Sequence, residues 1–149
     1  MYMEYSIMTI AQWFLSKADD ITPKKLQKLV YYAESWNNAL YDHPLISDSQ
    51  FEAWAHGPVS KELYTRYHDY GWNPIPMESK PKVDNKTEDL LESVWLTYGD
   101  KSANELEALT HMEEPWRKAR RGLKDGEHGE RPINRLDMKE YYRSIYSGD

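Results

Sequence analysis

Thr22 followed by Pro23 is the feature that most limits what this chain can become. A threonine hydroxyl can accept from the free N–H groups of a first helical turn. Proline, with no N–H and a φ already near the helical value, fits the first helical position without loss. From that start Leu26, Leu29, Val30, Ala33, Trp36, Asn37 and Leu40 recur at a helical period up to Tyr41. This predicts a long central helix whose apolar stripe must be covered by other elements. Lys24, Lys25 and Lys28 crowd its positive end, at a cost of about 0.3 kcal/mol or more each, and Asp19 and Asp20 are the nearest carboxylates in sequence to offset them.

The other elements are shorter. Ile10, Trp13 and Phe14 gather on one face of a predicted helix over Thr9 to Ala18, closed by Asp19 and Asp20. After Asp42-His43-Pro44, extended pieces at Leu45-Ile46 and Phe51 to Trp54 flank a Ser47–Ser49 turn and predict a β-hairpin near residues 45–54. Gly57-Pro58 then breaks the chain and is expected to open a helix from Val59 to Tyr70. Residues 71–84, with Pro74, Pro76 and Pro81, predict an exposed, mobile connector. Asn85 with Glu88, and Ser102 with Glu105, have capping-box spacing and predict two helices, the first stopping at Gly99. Pro115-Trp116 begins a further helical turn, Gly122, Gly126 and Gly129 mark a loop, and Asp137 to Tyr146 predicts a last helix. The expected fold is mostly α: a compact single domain over 1–149 with about six helices and one short hairpin.

Composition narrows the function. The 149 residues suit one core, and 40% hydrophobic and 30% charged residues, with 12 Tyr, 6 Trp and 2 Phe, exclude global disorder. With no cysteine, thiol catalysis and thiolate metal sites are excluded. Mean hydropathy of −0.89 and the absence of a long apolar run exclude a transmembrane helix, and the net charge of −6 argues against an anionic membrane as partner. The N-terminus MYMEYSIMTI lacks the pattern of a secretion signal, so a cytoplasmic location is expected. A net charge of −6 makes nucleic acid a poor main partner, since phosphate contacts need clustered cations.

No phosphate-binding glycine loop, nucleophile elbow or spaced histidine pair occurs, so no catalytic residue, cofactor or metal is expected. His56 beside Gly57-Pro58, with His111 before Glu113-Glu114, could build an acid/base or metal site only by meeting in space; structural histidines are the better reading. Two features compete as partner surfaces. The run from Trp116 to Lys124, with Arg117, Lys118, Arg120 and Arg121, is the one dense positive cluster. Glu113, Glu114, Asp125, Glu127 and Glu130 cancel much of its field, so a solvated helix face is favoured. The aromatic series Tyr64, Tyr67, Tyr70 and Trp72 exceeds what a core needs, and Tyr67, Tyr70 and Trp72 with the adjoining connector are the expected binding corner.

Three groups of residues, taken in order, resemble a known family. The first is Leu26-Gln27-Lys28-Leu29-Val30-Tyr31-Tyr32-Ala33-Glu34-Ser35-Trp36, and the second Phe51-Glu52-Ala53-Trp54-Ala55-His56-Gly57-Pro58-Val59. The third is Thr110-His111, Pro115-Trp116 and Ala119-Arg120. Together they resemble the Panacea domain, the family of SocA-like antitoxins and phage-associated GepA-like proteins, in its compact stand-alone form. The resemblance implies a non-enzymatic antitoxin that neutralises a cognate protein toxin by direct contact, some toxins being alarmone-synthetase-like. Alternatives within it are a SocA-type adaptor delivering a toxin to the ClpXP protease and a phage-encoded binding protein. An operator-binding repressor would have to use Arg117 to Lys124. Spacing alone makes the motif residues mainly structural: Leu26, Leu29, Val30 and Ala33 face a core, Tyr31, Tyr32 and Trp36 add packing area, Gly57 permits a turn that a Cβ would obstruct, and Pro58 fixes the start of the next helix. The connector has no counterpart in the family pattern.

Overall fold

The computed structural model describes residues 2–146. Among the described residues there are seven helices, built on α2 (Pro23–Tyr41), which packs on α1 (Ile7–Leu15), α4 (Asn85–Tyr98), α5 (Ala103–His111) and α7 (Arg135–Ile145); α3 (Lys61–Tyr67) and α6 (Glu114–Ala119) flank a small hairpin. Thr22 caps α2 through the Lys25 N–H, Pro23 takes the first turn, and the helix ends at Asp42 in the left-handed region, φ 53°. Leu40, counted on the apolar stripe, is 36% exposed.

Helix α1 begins two residues before the expected start because Ser6 caps it, accepting from the Thr9 N–H. It ends early, at Leu15; the Ser16 hydroxyl donates back to the Trp13 carbonyl at 2.6 Å, offering that carbonyl a partner outside the helical ladder. Helix α7 likewise starts two residues early, since Asn134 accepts from the N–H groups of Leu136 and Asp137.

The hairpin lies one strand further along the chain than the sequence pattern places it. Phe51–Trp54 (β1) pairs antiparallel with Gly57–Ser60 (β2) through an Ala55-His56 turn, with Phe51 opposite Ser60 and Trp54 opposite Gly57. Leu45-Ile46 instead runs parallel to the N-terminal segment, Tyr5 bridging Ile46, and its N–H groups donate to the Glu34 carboxylate at 3.1 and 2.8 Å. Gly57-Pro58 opens a strand rather than a helix because a side chain of α2 holds it extended. The Gln27 amide donates to the Ser60 carbonyl at 2.9 Å and accepts from the Ser60 N–H at 2.8 Å, as a neighbouring strand would. The opposite edge is closed by residues 131–133, through Ala53 N–H to Arg131 and Ile133 N–H to Phe51, each at 2.8 Å. Ser60 then caps α3, which gives way to a 3-10 turn over His68–Tyr70.

The proline-rich connector is anchored as well as exposed. Ile75 is buried and donates its N–H to Ile21, Glu78 does the same to Leu15, and Gln12 reaches the Ser79 carbonyl at 2.7 Å. It therefore lies along α1 as a strap. At its end the expected Asn85–Glu88 capping box does not form: Asp84 is the N-cap and takes the Tyr5 hydroxyl, while Glu88 accepts from the Trp13 indole N–H at 2.9 Å and pairs with Lys80. The Ser102–Glu105 box forms in full.

Candidate functional site

The motif residues converge on the hairpin. Its β2 edge is held by α2, where Gln27 splints β2 and Lys28, fully buried, donates to the Pro58 carbonyl at 3.1 Å. Gly57 sits at φ +108°, and a Cβ there would lie 2.7 Å from Lys28 Cε and 3.1 Å from Thr110 Oγ1, so both conformation and space require glycine. The β1 side is held by α6 and its C-cap: the Trp116 indole donates to the Trp54 carbonyl at 2.9 Å, and the Arg120 guanidinium to the carbonyls of Ala53, Lys124 and Glu127 at 3.2, 3.1 and 2.6 Å. His111 stacks on Trp116 with ring centres 3.9 Å apart.

The crowded lysines of α2 find partners far from Asp19 and Asp20. Lys24 pairs with Glu107 and also donates to Asn104, and Lys25 donates to the Gly99 carbonyl at the end of α4 at 2.6 Å. Lys28 has one carbonyl and no carboxylate in contact. Burial, helped by the Lys24 charge and opposed by Glu107, lowers its pKa to about 7.

Behind the hairpin a buried carboxylate ties three helices together. Glu113 accepts from the hydroxyls of Tyr32 on α2, at 2.8 Å, and Tyr142 on α7, at 2.6 Å. Burial raises its pKa, and the two donors oppose the rise. Tyr32 also stacks on Tyr98 of α4 with ring centres 3.9 Å apart. These groups lock elements in place.

Of the five residues the two competing surfaces offer a partner, Tyr67, Tyr70, Trp72, Arg117 and Arg120, two are not on the surface. Tyr67 is 6% exposed with its hydroxyl on Glu78, and Arg120 is 6% exposed and bonded to three carbonyls. Tyr70 at 38% and Trp72 at 83% remain open at the corner, and Arg117 is exposed on α6. A surface grouping absent from the sequence argument lies beside the hairpin. Tyr64, 45% exposed, stacks on His68 at 4.8 Å and tilts against Trp54 at 5.0 Å. With the strand placed wrongly, nothing in the spacing could bring Trp54 to Tyr64. His56 and His111 do approach one another, but through Glu107, at 3.2 and 3.9 Å, and not through Glu113-Glu114. Among the described residues no three His, Asp or Glu side chains gather as a metal site would require.

Two concavities flank this region. A groove of about 860 Å³ runs between the hairpin, the 46–50 segment and the start of α7, with Lys61 beside Glu52 in its wall. A cleft of about 470 Å³ opens between the hairpin turn and α6, walled by His111, Trp116, Arg117 and Arg121 with Arg120 beneath.

A family model described as "Antitoxin SocA-like, Panacea domain" matches residues 26–117, from α2 into α6. No curated protein and no solved structure matches the chain. No helix among the described residues is long and apolar enough to cross a membrane.

Proposed function

Since the chain belongs to the SocA-like antitoxin family, of the Panacea domain, we propose that it is the antitoxin of a toxin–antitoxin pair and neutralises its toxin by direct protein–protein binding. The family match over residues 26–117 carries this reading. The division of labour among the residues supports it: the motif side chains are spent on holding the hairpin, while Tyr70 and Trp72 stand open beyond α3. Tyrosine and tryptophan concentrate binding energy at protein interfaces when desolvated by a partner.

The toxin class that a net charge of −6 fits is one whose nucleotide or tRNA site is lined by cations, as in alarmone-synthetase-like enzymes. An acidic surface would be steered towards such a site and block substrate entry. The test is co-expression. The protein encoded beside this gene is induced with and without the antitoxin, survivors are counted, and the two chains are co-purified. Rescue with co-purification is the expected result, with affinity falling as salt rises. A harmless neighbour overturns the reading, and rescue without a complex points to delivery of the toxin to a protease.

A further inference from the structure

The cleft between the hairpin turn and α6 has a charge balance that its sequence context hides. Five carboxylates lie near the basic run in sequence, yet Glu113 is buried against Tyr32 and Tyr142, Glu130 pairs with Lys61 and His128, and Glu114, exposed in the first turn of α6, lies outside the cleft wall. Glu127 accepts from the Lys124 N–H. Asp125 is the single acidic residue in the wall. Of the cations, Lys118 pairs with Asp137, whereas the side chains of Arg117 and Arg121 have no ion pair among the described residues. Arg120, beneath them, is bonded to three carbonyls and no carboxylate, so a full positive charge with no counter-ion sits under the cleft. Gly129 makes room for it, since a Cβ there would meet Leu123 at 2.6 Å and Arg120 Nη1 at 3.0 Å. His111 Nε2, also in the wall, is buried with no hydrogen-bond partner.

We propose that this cleft receives a short carboxylate-bearing segment of the partner protein, its acidic side chain set between Arg117 and Arg121 above Arg120. Guanidinium groups grip carboxylates through paired hydrogen bonds, and the Arg120 charge strengthens that grip from below. Leu123 and Ala55 give the segment an apolar neighbour to lie against. A nucleotide fits less well: Trp116 is 7% exposed, already stacked on His111 and bonded through its indole N–H, so no free aromatic face is offered to a base. A long phosphate backbone would run from the cleft onto a surface of net charge −6. That overall charge does not repel a short segment strongly, because it is screened beyond about 8 Å at physiological salt.

The proposal rests on the protein-binding reading only in that the occupant is part of a protein, and its test needs no toxin. Isotope-labelled full chain is titrated with a short Glu-Leu repeat peptide, the matching Gln-Leu peptide and a short duplex DNA, following the backbone signals of Arg117, Arg121, Gly122 and Gly126. The expected result is movement of those signals with the Glu-Leu peptide alone, and about tenfold weaker binding in the R117A/R121A double variant, partly restored in R117K/R121K. Both side chains are exposed, so circular dichroism of the variants should match the parent. Movement elsewhere, equal binding of the Gln-Leu peptide, or undiminished binding by R117A/R121A overturns the proposal. DNA seated in the cleft more tightly than the peptide overturns it in favour of nucleic acid. Failed toxin rescue alongside intact peptide binding would sink the antitoxin reading and leave this one standing.

Discussion

The hairpin clamp and the 68–84 segment lie at the two ends of α3 and are opposites in construction. In the clamp, polar side chains from α2 and α6 end on backbone atoms of the strands, and Gly57 leaves no room even for a methyl group. In the 68–84 segment a few backbone hydrogen bonds and Ile75 hold the strap down, while Tyr70 and Trp72 turn outward. Both carry aromatic residues, so composition does not separate them. The difference lies in what each aromatic polar tip reaches: Trp116 reaches a strand carbonyl, and Trp72 reaches water. Stability should therefore be concentrated in the buried side chains of the clamp, and Tyr70 and Trp72 should be dispensable for folding.

The largest expected effect is at Gly57. Gly57→Val combines a left-handed φ with overlap on Lys28, and should cost about 3 kcal/mol or more in urea unfolding; a loss well under 1 kcal/mol would show that the clamp is looser than its geometry. Next, Glu113→Ala strands the hydroxyls of Tyr32 and Tyr142 in the interior, with an expected loss of about 2–3 kcal/mol. Third is a pH effect centred on Lys28. Above pH 7 the folded chain has released the Lys28 proton that the unfolded chain keeps until about its ordinary value of 10.5. The unfolded state then binds more protons, and raising the pH over that interval favours folding. Denaturation of wild type and Lys28→Met from pH 7 to pH 10 should show the wild type gaining relative to the variant; a constant difference would mean that Lys28 titrates normally. The smallest stability effect is Trp72→Ala, within about 0.5 kcal/mol, yet it should weaken toxin binding tenfold or more if the corner is the contact. Calorimetry of both properties on one preparation separates the two regions most sharply.

Local chemistry was legible in the sequence wherever a cap or a period decided the outcome. Thr22-Pro23 and Ser102–Glu105 open α2 and α5 as their spacing predicts, and the LQKLVYYA run lies buried along α2. What escaped was decided by side chains distant in sequence. Gln27 makes Gly57–Ser60 a strand, Glu34 draws Leu45-Ile46 away from β1, and Trp13 takes Glu88 from the capping box. The same holds for the surface. Tyr67 and Arg120 belong to patterns that look open along the chain, but the fold tucks them under. The grouping of exposed Tyr64 and His68 with half-buried Trp54 exists only because of a strand register that local pattern does not specify.

The Tyr142 hydroxyl has a consequence in the order of synthesis. Glu113 is buried with two donors, and the second arrives from α7, the last helix in chain order among the described residues. Arg135 and Arg143 of that helix also satisfy Asn38 and the Ala39 carbonyl near the end of α2. A nascent chain that has reached only α6 would hold half of this arrangement, with an interior carboxylate short of a partner and the spine helix open along one side. The domain should therefore close late and all at once as α7 is released, so that a ribosome stalled before that point yields a chain open to proteolysis instead of a partly working one.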